Sequence, residues 1–99
     1  MALQIKWTEN ALEDYKAVVD YLLKGWQVDV AAKFINLAEA RVDALSIFPN
    51  IGKVSLKEKK VRSIVLTKHN KLYYRVSDNC IEVLNIFDTR QNPAKNKYD

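Results

Sequence analysis

The first half of the chain carries two patterns of apolar and polar positions. Residues Leu3 to Trp7 alternate between apolar and polar, which is typical of a short half-buried strand. Apolar residues then recur at three- and four-residue steps and predict a helix with one apolar face. The apolar positions of this helix are Leu12, Tyr15, Val19 and Leu22. Thr8 or Asn10 is its expected N-cap, and Gly25 is its expected C-cap.

A second helix is predicted between Asp29, its expected N-cap, and the turn at 49–52, which stops it. Its apolar stripe consists of Phe34, Ile35, Leu37, Ala38, Val42, Leu45 and Phe48. Only a few residues around Gly25 join the two helices, so we expect an antiparallel helical hairpin. Trp26 lies in this connection, and the pattern leaves open whether it is exposed or covers the hairpin.

Three strand-like runs rich in β-branched and aromatic residues follow a basic connecting loop at 53–60. The runs are Val61 to Thr67, Leu72 to Ser77 and Ile81 to Phe87. Short polar links separate them, so the strands should pair as an antiparallel meander, and the helical hairpin should cover one face. The sequence therefore predicts a single α+β domain over 1–99. Its expected order is strand–helix–helix–three-strand meander, with an antiparallel sheet packed on a two-helix hairpin.

The composition excludes several kinds of site. Cys80 is the one cysteine and His69 the one histidine, so neither an internal disulfide nor a structural zinc is expected. Apolar runs are only a few residues long, and residues 1–7 lack the layout of a signal peptide. We therefore expect a cytoplasmic protein that contacts no membrane and uses no metal or other cofactor.

Charge is distributed unevenly between the two halves. Residues 1–52 contain five Lys/Arg and seven Asp/Glu, a net charge of −2, whereas residues 53–99 contain eleven and five, a net charge of +6. A basic half on a small domain favours an anionic partner, although a solvated lysine-rich surface explains the count as well.

Several short motifs follow one another in order along nearly the whole chain. They are Trp7-Thr8-Glu9-Asn10-Ala11, Phe48-Pro49-Asn50-Ile51-Gly52, Val61-Arg62, Lys71-Leu72-Tyr73-Tyr74-Arg75-Val76, and the stretch from Ile81 to Pro93. Each motif alone is common. With this spacing and this order of elements, the sequence resembles the RelE/ParE toxin superfamily.

The resemblance implies the toxin of a type II toxin–antitoxin system. In that superfamily, RelE-like members cleave mRNA in the ribosomal A site without a metal, and ParE-like members poison DNA gyrase. It also implies a cognate antitoxin, and we expect an apolar, acidic antitoxin segment to dock on the helical hairpin or on a sheet edge. The end of the chain from Asp88 to Pro93 is closer to ParE-like members, which favours gyrase as the target. Ribosome-dependent mRNA cleavage and a non-toxic partner-binding domain of the same fold are the alternatives.

The resemblance also points to candidate catalytic residues. If the chain is RelE-like, Arg62, Lys71 and Arg90 fall at its cationic catalytic positions. Three departures favour a non-nuclease toxin: Ile64 stands where the RelE-like branch often has a second basic residue, Lys71 replaces the usual arginine, and Tyr98 is offset from the late acid/base position. Arg62 and Arg90 could equally form structural ion pairs with Glu82 or Asp88.

Further side chains are candidates for contact with the target or with nucleic acid. They are Lys57, Lys59, Lys60, Tyr73, Arg75 and Tyr98. Lys71, Tyr73 and Arg75 occupy alternate positions of one strand and should share one sheet face. If the apolar alternate set faces the helices, we expect these three side chains to point outward, toward phosphates or a carboxylate-rich partner.

Overall fold

The computed structural model describes residues 2–99, apart from the side chain of Pro93; Met1 and that side chain lie outside the described residues. Two helices follow a first strand, and four further strands and a short 3₁₀ helix complete the chain. The bounds are β1 Gln4–Trp7, α1 Glu9–Lys24, α2 Val28–Ile47, β2 Lys53–Val54, β3 Val61–Thr67, β4 Asn70–Ser77, β5 Cys80–Asp88 and the 3₁₀ helix Pro93–Lys95. The predicted α+β class and helical hairpin are confirmed.

Helix α1 begins and ends as its sequence predicts. The Thr8 side-chain oxygen accepts a hydrogen bond from the backbone N–H of Ala11 at 3.1 Å, which satisfies a free donor of the first turn. Gly25 is the C-cap and donates its N–H to Tyr21. The Thr8 hydroxyl also donates to the carbonyl oxygen of Val83 at 2.9 Å, so the start of α1 is tied to the sheet.

Three details of the helices differ from the prediction. Helix α2 begins at Val28 with Gln27 as its N-cap, so Asp29 lies in the first turn, where its charge complements the helix dipole. Leu12 and Phe48 are exposed, because the apolar face of α1 is centred on Ala11, and Phe48 lies beyond the end of α2.

The sheet contains five strands in the order β1-β5-β4-β3-β2. Strands β3, β4 and β5 form the predicted antiparallel meander. Strand β1 lies parallel to β5, so the sheet is mixed rather than antiparallel throughout. The chain crosses from β1 through the helical hairpin before it returns to the sheet, which is the kind of long connection that parallel pairing requires. The basic loop also contains a short strand, β2, which pairs with β3.

The helical hairpin packs on one face of the sheet and encloses the main core. Its fully buried side chains include Leu45 from α2, Leu72 and Tyr74 from β4, and Val83 from β5. The ring of Tyr15 packs between those of Trp7 and Phe34, at centroid distances of 5.4 and 5.7 Å, and joins β1 to both helices.

Tyr74 fixes the turn that follows α2. Its hydroxyl donates a hydrogen bond to the carbonyl oxygen of Pro49 at 2.7 Å and accepts one from the N–H of Gly52 at 3.0 Å. Burial raises the pKa of this phenol, so the hydroxyl stays protonated and able to donate. The motif Phe48 to Gly52 therefore serves the packing of the turn on β4.

Candidate functional site

The outer face of the sheet, opposite the helices, carries two of the predicted cations. The Lys71 ammonium lies 3.4 Å from the Asp99 carboxylate, and the Arg75 guanidinium lies 3.0 Å from the Glu82 carboxylate. Both side chains point away from the helices, as alternation along β4 predicts, because their register partners Val61, Val65, Glu82 and Phe87 lie on that face. Each cation therefore already has an internal carboxylate partner.

Tyr73 lies between these two cations but is fully buried. Its hydroxyl donates to the Asp99 carboxylate at 2.6 Å and accepts from the Asn96 side chain at 2.9 Å. Burial, together with the neighbouring carboxylate, raises the pKa of Tyr73 to about 12. The prediction that Tyr73 offers an accessible surface to a target is therefore wrong for this structure.

Residues 96–99 cover the outer face and account for the burial of Tyr73; we call them the terminal segment. The ring of Tyr98 lies 5.2 Å from the ring of Tyr73, centroid to centroid, and joins a small second core with Val61 and Phe87. Ser55 donates its hydroxyl to the carbonyl oxygen of Tyr98. The half-buried Tyr98 is thus a packing residue of this cover.

Lys57 also holds the terminal segment. Its backbone N–H donates to the carbonyl oxygen of Tyr98 at 3.2 Å, and its ammonium donates to the carbonyl oxygen of Asn96 at 2.8 Å. Lys59 and Lys60, the other two lysines predicted to contact a target, are exposed in the same loop. All three of these predicted contact lysines are exposed, but the ammonium of Lys57 is engaged with Asn96, so Lys59 and Lys60 remain the candidates for contact with a target.

Arg62 points to the opposite side of the sheet from Lys71. It pairs in register with Tyr74, whose side chain belongs to the core beneath the helices. Its guanidinium donates to the carbonyl oxygens of Gly52 at 2.8 Å and Asn50 at 3.2 Å. Arg62 therefore caps the turn after α2, and it makes these backbone contacts rather than an ion pair with a neighbouring carboxylate.

Arg90 lies just beyond the end of β5 and forms an ion pair with Asp88 at 2.9 Å. The hydrogen bond from Arg90 lowers the pKa of the Asp88 carboxyl group. The sequence left open whether Arg90 is a catalytic cation or forms a structural ion pair, and in the structure Arg90 forms the ion pair with Asp88. The three candidate catalytic cations thus occupy three places: Arg62 beneath the sheet, Lys71 above it, and Arg90 beyond its end.

A concave surface lies elsewhere, between the helical hairpin and the β3–β4 turn. We call it the hairpin groove; its volume is about 770 Å³. Its apolar lining includes Val18, Tyr21, Val30, Phe34, Leu37 and Ile86. Lys33, Lys68 and Arg90 contribute cations to its lining. Tyr21 is 66% exposed and Val30 is 47% exposed, so apolar surface remains open to solvent.

Asp14 lies inside the hairpin groove and contacts the sheet. Its carboxylate accepts a hydrogen bond from the backbone N–H of Ile86 at 3.0 Å. The pairing of β1 with β5 ends at Trp7 and Val83, so Ile86 lies beyond the part of β5 that β1 covers. The side chain of Asp14 accepts the hydrogen bond of the Ile86 N–H instead. Desolvation raises the pKa of Asp14, with the hydrogen bond from Ile86 opposing it.

The sequence pattern did not identify the hairpin groove, since its lining comes from α1, α2, the β3–β4 turn and β5. One signal was present: Tyr21 and Val30 are large apolar residues outside the predicted helical stripes. Within residues 2–99, no cluster of three His, Cys, Asp or Glu side chains is arranged to hold a metal ion. None of the helices described is long and apolar enough to cross a membrane.

The fold and the motif order together define a class. A two-helix hairpin on a five-stranded mixed sheet is the architecture of RelE/ParE superfamily toxins. The sequence model of a protein family, described as the ParE toxin of type II toxin-antitoxin system, parDE, matches residues 5–93 of this chain. The chain therefore belongs to the ParE toxin family. No curated protein sequence gave a significant match.

Solved structures share this fold at low sequence identity. The chromosomal ParDE TA system from P. aeruginosa matches with a TM-score of 0.73 and 24% identity, over 88% of this chain and 96% of that chain. A YoeB/ParE toxin from Agrobacterium tumefaciens matches with a TM-score of 0.66 and 17% identity, over 87% and 98%. A heterotetrameric complex of YoeB-YefM toxin-antitoxin from Staphylococcus aureus matches with a TM-score of 0.60 and 22% identity, over 88% and 97%.

Proposed function

We propose that this protein arrests growth by contacting DNA gyrase in the cytoplasm, and that a cognate antitoxin neutralises it. Membership of the ParE toxin family supports the toxin assignment. The choice of gyrase over the ribosome rests on one observation about the candidate catalytic residues: Arg62, Lys71 and Arg90 lie on separate surfaces.

Ribonuclease chemistry of the RelE-like kind needs several groups around one phosphate. A base must take the proton of the ribose 2′-OH, and cations must stabilise the charge that develops on the phosphate. Lys71 lies across the sheet from Arg62, so one phosphate cannot touch both. Each of the three is also engaged by a carboxylate or by backbone carbonyl oxygens. This arrangement supports action through protein contact rather than through RNA cleavage.

Accessible cations are the candidate contacts with the target. Lys59 and Lys60 are exposed in the basic loop, and Arg75 keeps 43% of its side-chain surface exposed despite its ion pair. Charged residues of this kind steer association and fix the orientation of a complex more than they add affinity. We therefore assign these three residues to the surface that meets gyrase.

The hairpin groove is the proposed antitoxin site. It combines an open apolar lining with the ammonium groups of Lys33 and Lys68, which suits an amphipathic helix or extended segment with acidic flanks. Exposed apolar surface of this kind is a feature of surfaces that bind a partner. One solved structure with this fold is a toxin-antitoxin complex, YoeB-YefM from Staphylococcus aureus, which supports an antitoxin partner for this chain.

Induced expression in a bacterial host, with and without the adjacent small gene, tests the proposal. We expect growth arrest with filamentation and DNA-damage signalling when this chain is made alone. Co-expression of the antitoxin should restore growth. Cleavage of messages at A-site codons would instead assign the chain to the RelE-like alternative. Unchanged growth would assign it to the non-toxic partner-binding alternative.

A further inference from the structure

Two carboxylates line the hairpin groove, and they differ in their partners. Arg90 holds Asp88 in an ion pair at 2.9 Å. Asp14 takes part in none of the ion pairs formed among residues 2–99. Its oxygen Oδ2 accepts the hydrogen bond of the Ile86 N–H at 3.0 Å, and in the described part of the chain Oδ1 accepts none. Asp14 therefore presents a carboxylate with a free acceptor oxygen at the groove.

The fold keeps this carboxylate among apolar groups. Val18 lies one turn further along α1, and Phe34 and Ile86 line the same groove. If the side chain of Asp14 turned out toward solvent, the Ile86 N–H would lose its acceptor, so the hydrogen bond opposes that movement. Desolvation at this position already raises the pKa of Asp14. The half-buried carboxylate is thus held in place, and covering it further is unfavourable unless its charge is compensated.

We propose that Asp14 selects the partner of the hairpin groove by pairing with a lysine or arginine that the antitoxin segment carries between its apolar residues. This inference rests on the proposed function, in which the antitoxin occupies this groove. A segment that covered the groove with apolar side chains alone would remove solvent from the carboxylate and leave its charge unpaired, which is strongly unfavourable. A cation at this point forms a charge-assisted hydrogen bond with Oδ1 instead.

The other charges of the groove indicate what flanks this cation. Lys33 and Lys68 also line it, and neither is in an ion pair within the described residues. They favour acidic residues in the partner, whereas Asp14 favours a cation. A neutral donor such as a serine hydroxyl would leave the charge of Asp14 uncompensated. We therefore expect an apolar segment with one internal lysine or arginine and with acidic residues on its flanks.

The variant Asp14→Asn tests the role of this charge. Asparagine keeps an oxygen that accepts the hydrogen bond of the Ile86 N–H, but it carries no charge. In calorimetric titrations with the purified antitoxin, the affinity should fall by about tenfold or more, because the cation of the partner is left buried without its carboxylate. An antitoxin without such a cation would bind Asp14→Asn as tightly as the parent protein or more tightly, since no carboxylate is desolvated. Either of these results overturns the proposal.

Glu13→Gln is the matched control. It removes the same charge from the neighbouring residue of α1, which is exposed and lies outside the groove lining. This variant should bind the antitoxin as the parent protein does. An equal loss of affinity in Glu13→Gln and Asp14→Asn would show a general effect of net charge and would overturn the proposal.

Substitutions in the antitoxin identify the facing cation. Each lysine and arginine of its binding segment is replaced by glutamine in turn, and each product is titrated into the parent protein and into Asp14→Asn. One replacement should weaken binding to the parent by about tenfold or more and have little further effect on Asp14→Asn, which is the coupling expected of a direct pair. If Asp14→Asn fails to fold, the titrations of the parent protein still decide. The absence of any such replacement overturns the proposal.

The same titrations separate this inference from the placement of the antitoxin in the groove. Val30→Asp alters the apolar lining without changing Asp14. Weaker binding to Val30→Asp, together with unchanged binding to Asp14→Asn, would overturn the role of Asp14 and leave the groove as the antitoxin site. Unchanged binding to both variants would overturn the groove as the site, and the role of Asp14 with it.

Discussion

Gly52 lies directly against the phenol of Tyr74. A Cβ atom built on Gly52 would lie 2.6 Å from the Tyr74 hydroxyl oxygen and 2.9 Å from the carbonyl oxygen of Ser63. Both distances are shorter than van der Waals contact, and the second neighbour is backbone, which cannot rotate away. The turn after α2 therefore requires glycine because of close approach.

Gly52→Ala should lower the free energy of unfolding by about 1–3 kcal/mol, the usual cost of forcing an extra carbon into a packed site. Gly25→Ala is the control, since its Cβ would meet its nearest neighbours at 3.7 Å. Urea denaturation of both variants measures the difference. Equal stabilities of the two variants would contradict this explanation of Gly52.

Tyr74→Phe removes the hydroxyl that serves both Pro49 and Gly52. The buried N–H of Gly52 then loses its acceptor, which should cost about 1–3 kcal/mol in the free energy of unfolding. Chemical denaturation of this variant gives the value. A loss well below that range would mean that the turn closes without Tyr74.

The pKa of the Tyr73 hydroxyl should lie above its ordinary value, and Asp99 should be one cause of the increase. Its folded pKa of about 12 exceeds the ordinary value of 10.0, so its protonated form stabilises the fold fully below pH 10.0. That stabilisation is lost as the pH rises through about 12. Asp99→Asn removes a charge and a hydrogen-bond acceptor, so the pKa of Tyr73 should fall.

Difference absorbance of the tyrosinate, with Tyr73→Phe subtracted, measures this pKa. The subtraction matters because burial also raises the pKa values of Tyr15 and Tyr74. An unchanged Tyr73 pKa in Asp99→Asn would show that desolvation alone causes the shift.

Val30→Asp should weaken antitoxin binding, because it places a carboxylate in the apolar part of the hairpin groove. We expect a loss of about tenfold or more in affinity, which corresponds to at least about 1.4 kcal/mol. Val28→Asp is the control: it lies in the same first turn of α2 but outside the groove lining. Both substitutions meet the same helix dipole.

Calorimetric titration with the purified antitoxin compares the two variants. Equal affinities of Val30→Asp and Val28→Asp would place the antitoxin elsewhere on the surface. Both variants should still arrest growth when the antitoxin is absent. Such arrest would show that a weakened antitoxin complex does not reflect a loss of toxicity.

Local patterns predicted most of the fold. The Thr8 cap, the Gly25 cap and all three strands of the meander follow from side-chain spacing and turn residues, which act within a few positions. The parallel pairing of β1 with β5 joins residues more than 70 positions apart, and no local pattern encodes it. Strand β2 is too short for an alternation to be seen.

The candidate site was harder to predict, because it depends on which face of the sheet each distant segment of the chain covers. Alternation placed Lys71 and Arg75 correctly on the outer face, but it gave no sign that the terminal segment covers Tyr73. The contacts of Ser55 with Tyr98 and of Lys71 with Asp99 connect distant parts of the chain. Such contacts arise only once the sheet has formed.

A supercoiling assay with purified gyrase tests the central claim most directly. With relaxed plasmid as substrate, we expect the purified protein to inhibit supercoiling by gyrase and to cause cleaved DNA to accumulate, and we expect added antitoxin to reverse both effects. Unaffected gyrase, together with cut messages on programmed ribosomes, would contradict the account.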